Sequence, residues 1–164
     1  MTLSELNAMT REQFVGALGW VFEASPWVAE RAWAHRPFAS RAELHGSMTG
    51  ELDQAADAEK LSLLRAHPDL GTRAKVSAAS AGEQSGAGLD RLTAGEFETF
   101  QMLNAGYREK FGFPFLYAVK GSNKHDIFVA LGVRMDSSPE EEFREALSEV
   151  KRIAWFRLED TVAE

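Results

Sequence analysis

The sequence contains no cysteine among its 164 residues, which excludes disulfide bonds, thiolate metal sites and cysteine nucleophiles. It also lacks an excess of positive charge, because its formal net charge is −7 at pH 7. A general nucleic-acid binder needs lysine and arginine to displace counterions from phosphate, so this class of protein is disfavoured.

No stretch approaches the roughly 20 apolar residues of a membrane span. Residues 1–14 lack the charged and apolar blocks of a secretory signal. We therefore expect a cytoplasmic protein with no nucleic-acid or membrane partner.

The composition that remains is that of an ordinary globular protein. Hydrophobic residues make up 45% of the chain and charged residues 26%. A chain of this length is long enough to bury one sizeable core. We predict a single domain over residues 1–164.

Signals for helix starts recur along the chain, whereas alternating strand patterns are absent. Threonine or serine followed three residues later by glutamate or glutamine has the spacing of a capping box. Serine before proline places an N-cap ahead of a first-turn proline. Seven helices are predicted on these signals and on apolar spacing, and they start near Thr10, Ser25, Ser40, Asp57, Thr93, Asn123 and Ser138. The predicted fold class is all-α, a single-domain multi-helical array of about seven to eight helices.

Two stretches do not fit this helical pattern. Residues 111–119, FGFPFLYAV, are broken by Gly112 and Pro114, so we interpret them as a buried extended segment. Residues 77–90, SAASAGEQSGAGLD, consist mostly of small residues. Their composition alone permits a flexible loop.

The first candidate for chemistry is His67, in the sequence LLRAHPDLGTRAK of residues 63–75. Pro68 biases His67 away from helical geometry, so the imidazole is expected at the end of a helix on a rigid backbone. A helix C-terminus also favours the protonated ring. The pattern fits either a capping histidine or a functional one. The other histidines, His35, His45 and His125, lie in polar contexts and are predicted to be solvated.

The second candidate is the pair Glu83 and Gln84, inside the small-residue stretch. A short helix of small residues would let a ligand approach closely, and Ser80 lies one helical turn before Glu83. The alternative is a solvated loop carboxylate. A metal site formed by His67, Asp69 and Glu83 is a weaker alternative, because few further ligands are available.

The third candidate is Arg157. In the last predicted helix an apolar seam formed by Phe143, Leu147, Val150 and Ala154 leads to Arg157 at the next step. A guanidinium on a core-facing stripe needs a partner or a bound anion. The alternative is an arginine whose stem covers the core while its head reaches water.

The fourth candidate is the irregular backbone of FPFLYAVKG, residues 113–121. Unpaired N–H and C=O groups there would suit a polar planar ligand. A buried connector without a binding role is the alternative. The chain has no HExxH, P-loop, GxGxxG or nucleophile-elbow motif.

Taken together, the four stretches resemble one protein family. In order they are HPDLG, then S-x-x-EQ-x-x-AGL, then KFGFPF with AVKG, and finally RIA-x-x-RL. The chain resembles the decarboxylases of 2-oxo-4-hydroxy-4-carboxy-5-ureidoimidazoline (OHCU), which act in urate degradation. The resemblance covers nearly the whole chain.

This resemblance implies an all-helical homodimer without a cofactor or metal, which releases CO2 from OHCU to form (S)-allantoin. It also implies that His67 and Glu83 are catalytic. A functional association with hydroxyisourate hydrolase is possible on the same basis. The substrate-binding residues that the resemblance implies are Pro68, Ser80, Gln84, Phe115, Leu116 and Arg157.

Two alternatives to this function stay open at the level of sequence. The first is a related enzyme that acts on another ureido or imidazolone carboxylate. The second is a helical interaction module without catalysis, in which the candidate residues need not converge.

Overall fold

A computed structural model describes all of residues 1–164 and contains helices but no β-strand. A single isolated β-bridge joins Thr2 and Ala163. The chain has nine α-helices and a 3-10 turn, Trp33–His35. The α-helices are α1 Leu3–Ala8, α2 Arg11–Leu18, α3 Trp27–Ala32, α4 Arg41–Gln54, α5 Asp57–Arg65, α6 Ala78–Gly86, α7 Ala94–Phe111, α8 Lys124–Arg134 and α9 Pro139–Thr161.

The chain forms two compact units, Met1–Ala66 with Lys151–Glu164, and His67–Val150. The predicted division into one domain over 1–164 stays a prediction. None of the helices is both long enough and apolar enough to cross a membrane.

The all-α prediction is confirmed, and all seven predicted helices form, as α2 to α5 and α7 to α9. Two helices were not among them. The first is α1, which begins with a capping box in which Thr2 and Glu5 exchange hydrogen bonds. The second is α6, so of the two interpretations left open for residues 77–90, a flexible loop or a short helix, the helix is correct for 78–86.

The predicted helix starts differ in detail from the observed ones. Thr10, Ser40 and Thr93 cap their helices as expected. Ser25 does not cap α3, since its hydroxyl instead donates to the backbone oxygen of Glu23 at 2.9 Å. Asp57 is the first residue of α5 and not its cap.

The first unit is organised around buried side chains from α1 to α5 and the end of α9. The rings of Phe14 and Phe38 lie 6.1 Å apart in a stacked arrangement. The Asn7 side chain bonds both the N–H and the C=O of Phe38 and thereby holds the chain after the 3-10 turn. The fully buried residues of this unit include Leu6, Leu18, Val28, Leu44, Met48, Leu52, Leu64, Ala154 and Leu158.

The second unit is built around one face of α7. Phe100 on that face packs against Phe128 of α8, with ring centroids 4.1 Å apart. Tyr107 contacts the rings of Phe113 and Phe115 edge-on. The segment predicted over 111–119 begins later than expected, because Phe111 is the last residue of α7. Residues 113–118 form no helix or strand and are mostly buried, whereas their extended course stays a prediction.

The N-terminus of α7 is tied to α8 by an ion pair. Glu96 completes the capping box with Thr93 and also accepts a hydrogen bond from Lys124 Nζ at 2.8 Å. The hydrogen bond from Lys124 is the main cause of a lowered pKa of Glu96, and the bond from the Thr93 backbone N–H is the next. A carboxyl whose pKa is lowered by folding stabilises the protein above its unfolded-state pKa, and this contribution disappears as the pH falls through the folded-state pKa.

We predict that Glu96→Gln lowers the melting temperature at neutral pH, because it removes the charge that Lys124 and the helix start stabilise. The difference from wild type should shrink as the pH falls through the lowered pKa of Glu96. Thermal unfolding followed by circular dichroism between neutral and acidic pH measures this. Glu98→Gln in the same helix is the matched control and should show no such trend. A pH-independent difference would contradict the assignment.

Candidate active site

His67 lies directly after α5 and its C-terminal residue Ala66, where the sequence placed it. Its side chain is buried, with 6% of the residue exposed. The expectation that the imidazole stands at a helix end on a proline-stiffened backbone is therefore met by the fold. Pro68 is half-buried beside it.

The HPDLG loop, His67–Gly71, is held by a separate polar contact at each of its last three residues. Asp69 accepts from Arg108 Nη2 at 2.9 Å. The Leu70 carbonyl accepts from Asn104 Nδ2 at 2.8 Å. The Gly71 N–H donates to Gln84 Oε1 at 2.9 Å. Because three points of a five-residue loop are fixed, the backbone that carries His67 has little freedom to move.

Gly71 is favoured as a glycine chiefly by its backbone conformation and secondarily by the space around it. Its φ is +74°, a left-handed conformation that other residues adopt only with strain. A Cβ atom at this position would also lie 3.0 Å from Leu92 Cδ1.

The helix α6 carries Ser80, Glu83 and Gln84, as one of the two sequence interpretations proposed. Ser77 caps it by accepting from the Ser80 N–H at 3.2 Å. Ser80 and Gln84 lie four residues apart and are both buried, so they share one face of the helix. Glu83 is half-buried.

The AGL part of the motif ends α6 with a Schellman cap. Gly88 has a φ of +80°. The Leu89 N–H donates to the Gln84 carbonyl at 2.9 Å, and the Gly88 N–H donates to the Ser85 carbonyl at 3.0 Å. This is the bond pattern of a Schellman motif, and the buried Leu89 anchors it. Gln84 is thus fixed through both its backbone and its side chain.

Phe115 and Leu116 lie in the FPFLYA segment, residues 113–118, and both are buried. Together with the HPDLG loop and α6 they belong to the second unit. No group of three or more histidine, aspartate or glutamate side chains in the chain is placed to hold a metal ion. The alternative of a metal site at His67, Asp69 and Glu83 therefore has no support.

Arg157 belongs to the first unit, where it is buried in α9 with 4% of the residue exposed. Its Nη2 donates to Glu23 Oε2 at 3.0 Å. Its Nη1 donates to the carbonyls of Trp20 and Val21 at 3.2 and 3.3 Å. The expectation that a guanidinium on this seam needs a partner is correct, and the alternative of an arginine head in water is wrong.

Of the other histidines, His35 and His125 are exposed as predicted. His45 is half-buried, with its Nε2 2.8 Å from the Lys151 carbonyl oxygen and its ring edge-on to Trp155. It is therefore a structural residue and not the solvated one that we expected.

Three supporting residues were missed at the sequence level, namely Asn104, Arg108 and Glu23. Asn104 left a signal, because it interrupts the apolar stripe of α7 and a buried amide needs a hydrogen-bond partner. Arg108 follows one turn later on the same helix. Glu23 left no local signal, since its partner Arg157 is 134 positions away in the chain.

We predict that Gln84→Leu lowers the free energy of unfolding by about 1–3 kcal/mol, because it leaves the buried Gly71 N–H without an acceptor. Gln84→Glu keeps an acceptor oxygen at the same reach and is the matched control. Urea unfolding of both variants measures the difference. Equal stability of the two variants would show that the bond between Gly71 and Gln84 does not support the loop.

Comparison with known proteins gives consistent matches along the chain. A family model described as OHCU decarboxylase matches residues 7–159. The 2-oxo-4-hydroxy-4-carboxy-5-ureidoimidazoline decarboxylase of Haloferax volcanii is 49% identical over 158 residues, which are 96% of this chain and 94% of that protein. The uric acid degradation bifunctional protein PucL of Bacillus subtilis is 48% identical over 164 residues, which are 99% of this chain and 33% of that protein.

A solved structure also matches. The crystal structure of an (S)-allantoin synthase aligns with a TM-score of 0.79 and 33% identity, over 99% of this chain and 54% of that chain. This chain therefore spans about half the length of the solved synthase chain. The matches confirm the family resemblance that the sequence motifs indicated.

Proposed function

The chain belongs to the OHCU decarboxylase family, and we propose that it removes CO2 from OHCU to give (S)-allantoin in urate degradation. Family membership confirms the predicted enzyme class, a carboxy-lyase. The structural observation that carries the proposal is the hydrogen bond from Gly71 to Gln84. It joins the two motifs that hold the proposed catalytic pair, His67 and Glu83.

The reaction needs an electron sink and one proton delivered to one face of a carbon atom. When the carbon–carbon bond to the carboxylate breaks, its electron pair forms a C=C bond to the adjacent carbon, and the π pair of the neighbouring C=N bond moves to the ring nitrogen, which takes up a proton. The hydroxyl on the former carboxyl-bearing carbon loses its proton as that carbon becomes a carbonyl. The adjacent carbon takes up a proton and becomes the stereocentre. OHCU thus supplies its own electron sink.

His67 is the proposed acid/base, because an imidazole ordinarily titrates near neutral pH and can both accept and deliver a proton there. Its burial and the three anchors of the HPDLG loop restrict the ring to a narrow range of positions. Glu83 assists, either by orienting and charging the imidazole or by accepting the hydroxyl proton. Protonation from one fixed direction explains a single product enantiomer.

The proposed binding residues divide by the kind of group that they offer. Gln84 Oε1 is already bonded to Gly71, so Gln84 meets substrate through its amide nitrogen, which suits a ureido carbonyl oxygen. Ser80 offers a hydroxyl on the same face of α6. Phe115 and Leu116 offer backbone groups, and Pro68 lines the site beside His67.

Arg157 is the proposed anion-binding residue. A guanidinium presents a planar fork that matches a carboxylate or a ring carbonyl. Glu23 and the carbonyls of Trp20 and Val21 fix the orientation of this fork through hydrogen bonds of 3.0 to 3.3 Å. A fork that is oriented in advance loses less entropy when it binds an anion.

Three further statements stay proposals about the whole protein. They are a homodimeric state, a cytoplasmic location and a functional association with hydroxyisourate hydrolase. The association is supported by the Bacillus subtilis relative, in which the matching part is 33% of a bifunctional uric acid degradation protein.

We predict that His67→Asn lowers kcat by a factor of about 10² to 10⁴, the usual contribution of a general acid or base. KM should stay close to the wild-type value, because asparagine fills similar space and keeps a polar end. The measurement is the initial rate of OHCU consumption above the uncatalysed rate. His35→Asn, at an exposed histidine paired with Glu51, is the control and should keep full activity. An unchanged kcat in His67→Asn would exclude His67 from the proton transfer.

A further inference from the structure

The FPFLYA segment is buried, but its backbone forms no hydrogen bond with the backbone of another residue. No backbone–backbone hydrogen bond involves residues 113–118. The flanking bonds are those from the Gly112 N–H to the Arg108 carbonyl and from the Ser122 N–H to the Val119 carbonyl. Buried backbone groups are nearly always paired. Something other than secondary structure must therefore fix the course of this segment.

Two buried charged side chains bond its backbone. Arg134, at the end of α8, donates through Nη1 to the Leu116 carbonyl. Glu149, in α9, accepts from the Ala118 N–H through Oε2 at 3.1 Å. The exposed fractions of Arg134 and Glu149 are 9% and 4%. Hydrogen bonds to charged groups are about twice as strong as neutral ones.

Arg134 is itself held in place by a buried network. Its Nε donates to Glu142 Oε1 at 2.6 Å, and the Tyr107 hydroxyl donates to the same oxygen. Burial, and next the bond to Glu142, raise the pKa of Tyr107, so the phenol remains a donor over the working pH range. The Arg134 guanidinium also lies 4.5 Å from the centre of the Phe115 ring.

The two bonds fix consecutive peptide planes. The Leu116 carbonyl belongs to the peptide between Leu116 and Tyr117, and the Ala118 N–H belongs to the next peptide. The peptide between Phe115 and Leu116 directly precedes these two planes, so only the φ and ψ angles of Leu116 separate its orientation from the held backbone. No backbone carbonyl accepts from the N–H groups of Phe115 and Leu116, so both groups remain able to bind a ligand.

We propose that Arg134 and Glu149 are positioning residues that aim the backbone of Phe115 and Leu116 at the substrate. This inference rests on the proposed function, because it assumes that OHCU is bound by that backbone. Neither side chain needs to touch the substrate. Their effect is on substrate binding and not on proton transfer, so KM should respond and kcat should not.

The test compares two substitutions of Glu149 that separate the effect of side-chain length from the effect of side-chain charge. Glu149→Asp keeps the charge but withdraws the carboxylate by one methylene from the Ala118 N–H. Glu149→Gln loses the charge but keeps an acceptor oxygen at the same reach. We expect Glu149→Asp to raise KM for OHCU by about five- to tenfold, as for the loss of one hydrogen bond. KM of Glu149→Gln should stay within about twofold of wild type, because its bond survives.

Arg134→Lys provides a second variant, in case changes at Glu149 disturb folding. It keeps a positive charge near Glu142, but a single ammonium group cannot reproduce the planar fork that reaches both Glu142 and Leu116. We expect KM to rise several-fold with kcat nearly unchanged. Ile127→Val, in the core face of the same helix, is the control and should lower the melting temperature without changing KM.

The outcomes separate the two proposals. If the wild-type protein does not consume OHCU above the uncatalysed rate, the proposed function fails. If the wild type is active but Glu149→Asp and Arg134→Lys keep its KM, the positioning role is wrong. It is also wrong if Glu149→Gln raises KM as much as Glu149→Asp, because the glutamine keeps the hydrogen bond to Ala118 and the loss of that bond could then not be the cause.

Discussion

The hydrogen bond from the Gly71 N–H to Gln84 Oε1 links the two stretches of sequence on which the candidate active site depends. One end belongs to the HPDLG loop, which places His67. The other end belongs to α6, which places Ser80 and Glu83. Both ends of the bond are buried, so breaking it leaves a polar group unpaired. The free-energy cost of that unpaired group keeps the two stretches in a fixed relative position.

The helix α7 supports the site from one face. Asn104 and Arg108 bond the HPDLG loop, whereas Tyr107, on the intervening position, bonds the network that holds the FPFLYA segment. One regular helix thus fixes two irregular segments. Irregular backbone can present N–H and C=O groups to a ligand, which a helix or a sheet interior cannot, but only if side chains hold it rigid.

The helices that were predicted correctly have strong local signals. The capping pairs at Thr10 and Thr93 act within four residues, so the sequence alone reveals them. In contrast, α6 is rich in glycine and alanine and has no apolar stripe. Its stability comes from its Ser77 cap, its Schellman end and the burial of Ser80 and Gln84. The cap and the Schellman end are local, but the burial of Ser80 and Gln84 is a tertiary contribution, which overrides composition and is not visible in a single sequence.

The candidate site shows the same division. His67, Glu83 and Arg157 stand out as candidates because each breaks a local pattern, as a histidine before proline, a carboxylate among small residues and a cation on an apolar seam. The side chains that hold Arg157 and the FPFLYA segment are harder to find. Glu23, which bonds Arg157, and Glu149, which bonds the Ala118 N–H, sit in ordinary polar contexts, and their bonds span 134 and 31 positions of the chain. Only the folded chain brings these groups together.

The handedness of the allantoin formed by the wild-type protein tests the proposed function most directly. OHCU would be generated in place from urate by urate oxidase and hydroxyisourate hydrolase, and circular dichroism would follow the product. Uncatalysed decarboxylation protonates either face of the planar carbon and gives a racemic product without a lasting signal. We predict a rapid and persistent signal of (S)-allantoin. A racemic product formed at the uncatalysed rate would contradict the assignment of this chain as a stereospecific OHCU decarboxylase.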